Sequence, residues 1–194
     1  MMMTKAAAAL LACVLAGWPQ ATAQAPAPAR TPDVIYVPTP PAVVDAMLKM
    51  AKVTDKDVVY DLGSGDGRIP ITAAKNYGAR GIGIDIDPQR IAEANENAKA
   101  AGVSDKVTFL NQDLFASDFR DATVVTLYLL PRLNAKLLPQ LRKLPPGARV
   151  ISVAHRMADI KPDEQIVVDT DLGKFDVYLW KVETLQRDHA QTRH

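Results

Sequence analysis

Asp61-Leu62-Gly63-Ser64-Gly65-Asp66-Gly67 joins an apolar run, Asp57 to Leu62 (DVVYDL), to a helical stretch from about Arg68 to Tyr77. A short strand-to-helix turn of this kind needs glycine, because its backbone takes left-handed angles and lies close against whatever binds there. A second acid, Asp85, ends the next strand 24 positions after Asp61. A carboxylate so placed accepts hydrogen bonds from a ribose diol, as in dinucleotide-binding sheets. The glycine spacing then separates the nucleotides. A dinucleotide fingerprint is GxGxxG, which delivers a helix N-terminus to a pyrophosphate. Here the pattern is GxGxG preceded by an acid, and that carboxylate would repel a phosphate. Asp61 instead suits a ligand carrying a positive group beside its ribose. A tight turn that merely needs glycines accounts for Gly63 and Gly65 but not for two acids.

Outward from this turn, strand and helix signals alternate from about Asp33, the pattern of a mostly parallel sheet with helices on both faces. A helix from about Pro40 to Lys52 comes first, with Thr39 as its expected N-cap and with Val43, Val44, Met47, Leu48 and Ala51 at helical spacing. Gly81 to Ile86 (GIGIDI) is the second strand, and Asp87-Pro88 and Gly102 bracket the helix after it. Lys106 to Asn111 and Thr123 to Leu129 are strands three and four. Arg132 to Leu144 has helical leucine spacing, with Pro139 expected to kink or split it. Arg149 to Ala154 is strand five. Gln165 to Thr170 and Phe175 to Val182 form a closing antiparallel hairpin over the loop Asp171 to Lys174. The tail from Gln186 to His194 is polar and is expected to fray.

The 194 residues, 48% of them hydrophobic, suffice for one packed domain. Lys and Arg total 23 against 22 Asp and Glu, so no block of charge points to a nucleic acid partner. Cys13 is the only cysteine, which excludes a disulfide framework, a cysteine-based metal cluster and a cysteine nucleophile from the domain. Residues 1–23 read as an export signal. Lys5 precedes an apolar run from Ala6 to Trp18, which is shorter than the roughly 20 residues that span a bilayer, and Ala21-Thr22-Ala23 supplies a small-x-small cleavage pattern. The expected mature chain starts at Gln24 and works in the bacterial periplasm. The alternatives are an uncleaved anchor, lipidation at Cys13, or a cytoplasmic protein. Residues 24–32, rich in Ala and Pro, read as a tether, with the domain spanning 33–185.

The turn, its two acids and Asp113 at the end of strand three together resemble the class I methyltransferases, whose cofactor is S-adenosyl-L-methionine (SAM). YVPTPP, DLGSGDGRI and VTLYLLPRLN narrow the resemblance, covering most of Tyr36 to Val153. They are similar to the family containing the mitochondrial protein-lysine enzymes that modify the c-ring protein of ATP synthase and the adenine nucleotide translocase. The resemblance implies a Rossmann-like α/β fold of about seven strands and SAM as cofactor, with no metal. It implies that Gly63, Ser64, Gly65 and Gly67 shape the turn beside the methionine part, with Asp61 near its ammonium. Asp85 would take the ribose hydroxyls, with Ile86 on the adenine face. Asp113 would accept from the adenine amino group, unless it only caps its loop, and Leu114 would close the pocket. Tyr36 and Thr39 belong to a segment that helps close over the cofactor.

Strand four is where such enzymes place catalytic residues. It lacks Asn/Asp-Pro-Pro-Tyr, which argues against adenine and glutamine N-methylation. Tyr128 is the candidate to line the transfer site, with core packing as the alternative. His155 is a weaker candidate base, since a lone histidine at a strand end is also a common structural element. The resemblance points to a protein lysine as acceptor, with membrane-protein lysines within reach of an exported domain. A small molecule as acceptor, or an exported binding protein without catalysis, are the competing readings. An NAD-dependent oxidoreductase comes last because the glycine spacing is wrong. Export itself is unusual here, because SAM is made in the cytoplasm.

Overall fold

A computed structural model of the chain describes residue 31 and residues 35–191. The expected signal and all but one residue of the tether lie outside the described residues. The elements run α1 (Pro41–Met50), β1 (Val58–Leu62), α2 (Arg68–Tyr77), β2 (Arg80–Asp85), α3 (Pro88–Ala101), β3 (Val107–Asn111), β4 (Val124–Leu127), α4 (Pro131–Leu141), β5 (Arg149–Val153), β6 (Glu164–Thr170), β7 (Gly173–Lys181) and α5 (Val182–Gln191). The strands form one sheet in the order β3-β2-β1-β4-β5-β7-β6. The first five strands are parallel neighbours; β7 pairs antiparallel with both β5 and β6. The order reverses at β1, where β2 lies on one side and β4 on the other. In open α/β sheets a ligand crevice forms outside the carboxyl ends of the strands at such a point.

Central strands are buried on both faces, so their residues alternate between two cores. From β1, Val59 packs with Val43, Val44, Met47 and Leu48 of α1, while Tyr60 and Leu62 pack on the opposite face with Leu133, Leu137 and Leu141 of α4. The helix α3 is bounded as expected: the Asp87 side chain accepts from the Gln89 N–H at 2.8 Å, and Gly102 ends it at φ 71°.

Several expectations are corrected. Thr39 does not cap α1; Pro40 stands at the N-cap with no side-chain bond, and the Thr39 carbonyl serves another partner described below. Pro139 does not split α4, which runs on to Leu141 because Leu133, Leu137, Leu138 and Leu141 share one buried face. The closing hairpin turns in two residues, with Thr170 paired to Gly173. The polar tail is not wholly frayed. Val182–Gln191 is helical, with Val182 and Leu185 fully buried, and Arg142 ties it to α4 by bonding the Leu185 carbonyl at 2.8 Å and Asp188 at 3.0 Å.

At the end of the sheet away from the crevice, Asp57 gathers three strands. It accepts from the Thr54 N–H at 2.8 Å and the Thr123 hydroxyl at 2.6 Å, and it pairs with Arg149, which also donates to the Ala51 carbonyl at 2.6 Å. Burial alone would raise the Asp57 carboxyl, but the bonds from Thr123, Thr54 and Arg149 outweigh it and hold the group below the usual carboxylate range. A depressed folded value contributes stability above the unfolded value and loses it as pH falls through the folded one. Asp57→Asn is expected to lower unfolding free energy by about 2–4 kcal/mol, the cost of stranding one partner of a mostly buried pair. Urea denaturation checks this, and a change below about 0.5 kcal/mol would show the cluster to be energetically neutral.

Candidate active site

The glycine turn lies where β1 ends. The Gly63 and Ser64 N–H groups both donate to the Ile84 carbonyl, at 2.8 and 3.1 Å, which seats the turn on the neighbouring strand. Gly65 has φ 51°, and a Cβ there would fall 2.2 Å from the Tyr36 ring. Gly67 has φ 77°, and a Cβ there would strike Phe109 and Ala94. Neither residue can carry a side chain, but for opposite reasons. Tyr36 covers Gly65 from outside, whereas Gly67 packs inward against β3 and α3. The cleft wall itself is formed by Gly63 and Ser64 and not by Gly65 or Gly67.

That cleft, about 980 Å³ including its mouth, opens at the carboxyl ends of β1, β2 and β4. Asp61, Asp85, Ile86, Asp113, Leu114, Tyr36, Thr39 and Tyr128 all line it, so the chain brings together nearly all the residues expected from the sequence. Asp85 does more than face a ligand. One carboxylate oxygen accepts from the Gly65 N–H at 2.8 Å and the other from the Asp87 N–H at 2.9 Å, so it clips the glycine turn to the start of α3. Each oxygen retains a further lone pair, enough to accept from a diol.

Asp61 is only 4% exposed and accepts from the Thr126 hydroxyl at 2.7 Å. Burial raises its carboxyl to about 7; the Thr126 bond opposes the shift, and the Asp85 and Asp66 charges add to it. Without a cation nearby, burial thus favours the protonated form of Asp61. Ser64 lines the cleft but is buried at 4%, and its hydroxyl, turned toward Gly83 of β2, has no hydrogen-bond partner among the described residues. The acids that line the cleft outnumber its arginines, Arg68 and Arg90, which favours a positively charged ligand. Ile86, Leu114 and Phe115 supply an apolar wall beyond them.

Asp113 accepts from the Phe115 N–H at 2.9 Å, the loop-capping bond that the sequence left open, while still lining the cleft. Tyr128 likewise combines both readings, being half-buried against the α1-side core and exposed to the cleft beside Leu129 and Leu133. The expectation for His155 is corrected: it is not in the cleft wall. Ala154 at φ 62° turns the chain tightly after β5, with the His155 N–H on the Val153 carbonyl at 2.7 Å, and the His155 carbonyl is held by Ser152 at 2.7 Å. Sequence reasoning missed Asp66, Arg68, Asp87, Arg90 and Phe115, all of which line the cleft. The first two stand in DLGSGDGRI, the same stretch that carries the glycines and Asp61.

The ANTKMT methyltransferase domain family matches residues 61–164. A protein-lysine N-methyltransferase of Saccharolobus islandicus is 43% identical over 153 residues, covering 78% of this chain and 95% of that protein. The adenine nucleotide translocase lysine N-methyltransferase of Mus musculus is 32% identical over 149 residues, covering 75% of this chain and 64% of its own length. Among solved structures, an RNA methyltransferase of Salinibacter ruber in complex with S-adenosyl-L-homocysteine (SAH) is 51% identical with a TM-score of 0.72, covering 75% of this chain and 94% of that one. With the match running through more than half of its length and taking in the glycine turn and its acids, this chain belongs to the ANTKMT methyltransferase domain family.

Proposed function

We propose that the protein is a SAM-dependent methyltransferase whose acceptor is a protein lysine. The observation that carries this reading is the 43% identity to a protein-lysine N-methyltransferase along 95% of that relative's length. The cleft fits the cofactor. Asp61 answers an ammonium, Asp85 a ribose diol, and Ile86 with Leu114 and Phe115 a planar base. When bound, SAM supplies an electrophilic methyl group on a cationic sulfur.

The remaining work falls to the chain. A free lysine amine has a pKa near 10.4 and must lose its proton before it can accept a methyl group. Tyr128, Leu129 and Leu133 form a largely apolar wall at the carboxyl end of β4. Desolvation there disfavours the ammonium form and so favours the reactive neutral amine without a dedicated base. The Tyr128 hydroxyl orients the amine by hydrogen bonding. We further propose that the chain is cut after Ala23 and works outside the cytoplasmic membrane. An N-terminus at Gln24 in the periplasmic fraction supports this, and an intact Met1 in the cytosol overturns it.

The acceptor is tested by incubating the purified protein with methyl-labelled SAM and separated protein, RNA and small-molecule fractions. Label recovered as N-methyl-lysine after acid hydrolysis is the expected result. Label in RNA would favour the activity named for the Salinibacter ruber protein, and label in the small-molecule fraction a metabolite acceptor. Either result overturns the lysine reading.

Three variants probe the site. Gly65→Val is expected to lower SAH affinity at least about a hundredfold, because the new side chain must displace Tyr36 from the turn; calorimetry on a folded variant with unchanged affinity would remove the turn from the binding site. Tyr128→Phe is expected to lower kcat about tenfold while leaving SAH affinity within about twofold. A loss of thermal stability with normal kcat would assign Tyr128 to the core. Because the folded value of Asp61 is raised, its protonated form favours folding, and that contribution fades as pH rises through about 7. An ammonium ligand favours the ionised form, so SAH binding should tighten as pH rises from about 6 to about 8. Calorimetry across that range checks it, with Asp61→Asn expected to flatten the profile.

A further inference from the structure

The segment 35–39 crosses the mouth of the cleft, yet apolar burial does not hold it there. Ile35 is 87% exposed and Val37 52%. What holds the segment is polar. Arg68, the first residue of α2, grips Asp66 through Nε at 2.9 Å and Nη2 at 2.6 Å, and its Nη1 donates to the Thr39 carbonyl at 2.8 Å. At the other end of the segment the Tyr36 ring lies on Gly65 with the Arg90 guanidinium 5.0 Å from the ring centre, and burial together with the nearby Asp66 charge raises the Tyr36 hydroxyl. One ion pair at the start of α2 therefore reaches both ends of the segment, through a hydrogen bond at Thr39 and through its charge at Tyr36.

Resting on the reading of this cleft as a cofactor site, we infer that the Asp66–Arg68 pair is a positioning device: it pins the 35–39 segment at Tyr36 and Thr39 over the glycine turn and so sets how long the cofactor stays bound. The pair forms locally, two residues apart, so neither partner needs the segment in order to be satisfied. The segment needs the pair. Asp66 is 8% exposed while the Arg68 side chain stays partly open to solvent, and Arg68 makes a planar, forked contact that a lysine cannot reproduce on both Asp66 and Thr39 at once. Stacking by Arg90 adds a second, weaker hold on the ring.

The test measures SAH dissociation by stopped flow in the full chain and in Asp66→Asn, Arg68→Lys, Tyr36→Phe and the Tyr36→Phe/Asp66→Asn double variant. Each single variant is expected to release SAH about tenfold faster than the parent, with the melting temperature of the unliganded protein unchanged within about 2 °C. The double variant should be no faster than the faster of its two parents, since both changes loosen the same segment. Dissociation unchanged in folded variants, or effects that multiply in the double variant, would overturn the inference while leaving the cofactor reading intact. Should Asp66→Asn fail to fold, Arg68→Lys decides alone, because it keeps the charge beside Asp66. A parent protein that binds no SAH would overturn the cofactor reading itself.

Discussion

The cleft depends on one carboxylate being used twice. Asp85 stands at the end of β2 and holds the Gly65 and Asp87 N–H groups with separate oxygens. Those groups belong to the two loops that flank the crevice, one following β1 and one following β2. A single side chain thereby fixes the spacing between the glycine turn and the start of α3. Parallel pairing of β1 with β2, Leu62 opposite Ile84, brings the two loop origins side by side. Asp85 then converts that adjacency into a defined floor.

Charge is distributed around this floor with some tension. Asp61, Asp66 and Asp85 lie close enough for the last two to raise the first. Burial would raise Asp66 too, but Arg68 and Tyr36 outweigh it and keep that group ionised. The three acids are therefore met differently: Asp66 by its arginine, Asp85 by backbone N–H groups, and Asp61 by the Thr126 hydroxyl in a buried site that favours its protonated form. Asp61 is the one left for an arriving cation to ionise. The acid that opens the motif is thus the one whose charge depends on the ligand.

Much of this is legible in the sequence. The run DVVYDL followed by glycines marks β1 and its turn, and Asp87-Pro88 with Gly102 marks both ends of α3, because those signals are local. Strand order is not local: nothing in Glu164–Lys181 says that β7 wedges between β5 and β6. The helix α5 escapes notice because its sequence is largely polar, and its anchors, Leu185 and Arg142, lie 43 residues apart. Asp66 and Arg68 read as ordinary surface charges at a helix start, since the carbonyl that gives Arg68 a second partner is 29 residues upstream. Asp113 and Tyr128 stay ambiguous for a different reason: each side chain serves the cleft and its own support together.

The place of β7 in the sheet has a consequence for how the chain is made. On the ribosome, β1 to β5 emerge first and can pair with one another as they appear. The outer edge of β5, Arg149–Val153, then has no neighbour until residues beyond Val177 have emerged, because β7 and not β6 is its partner. An open strand edge on a growing chain is a template for unwanted pairing. The nascent domain thus carries an unprotected flank until β7 is made, and that strand is the one that seals it.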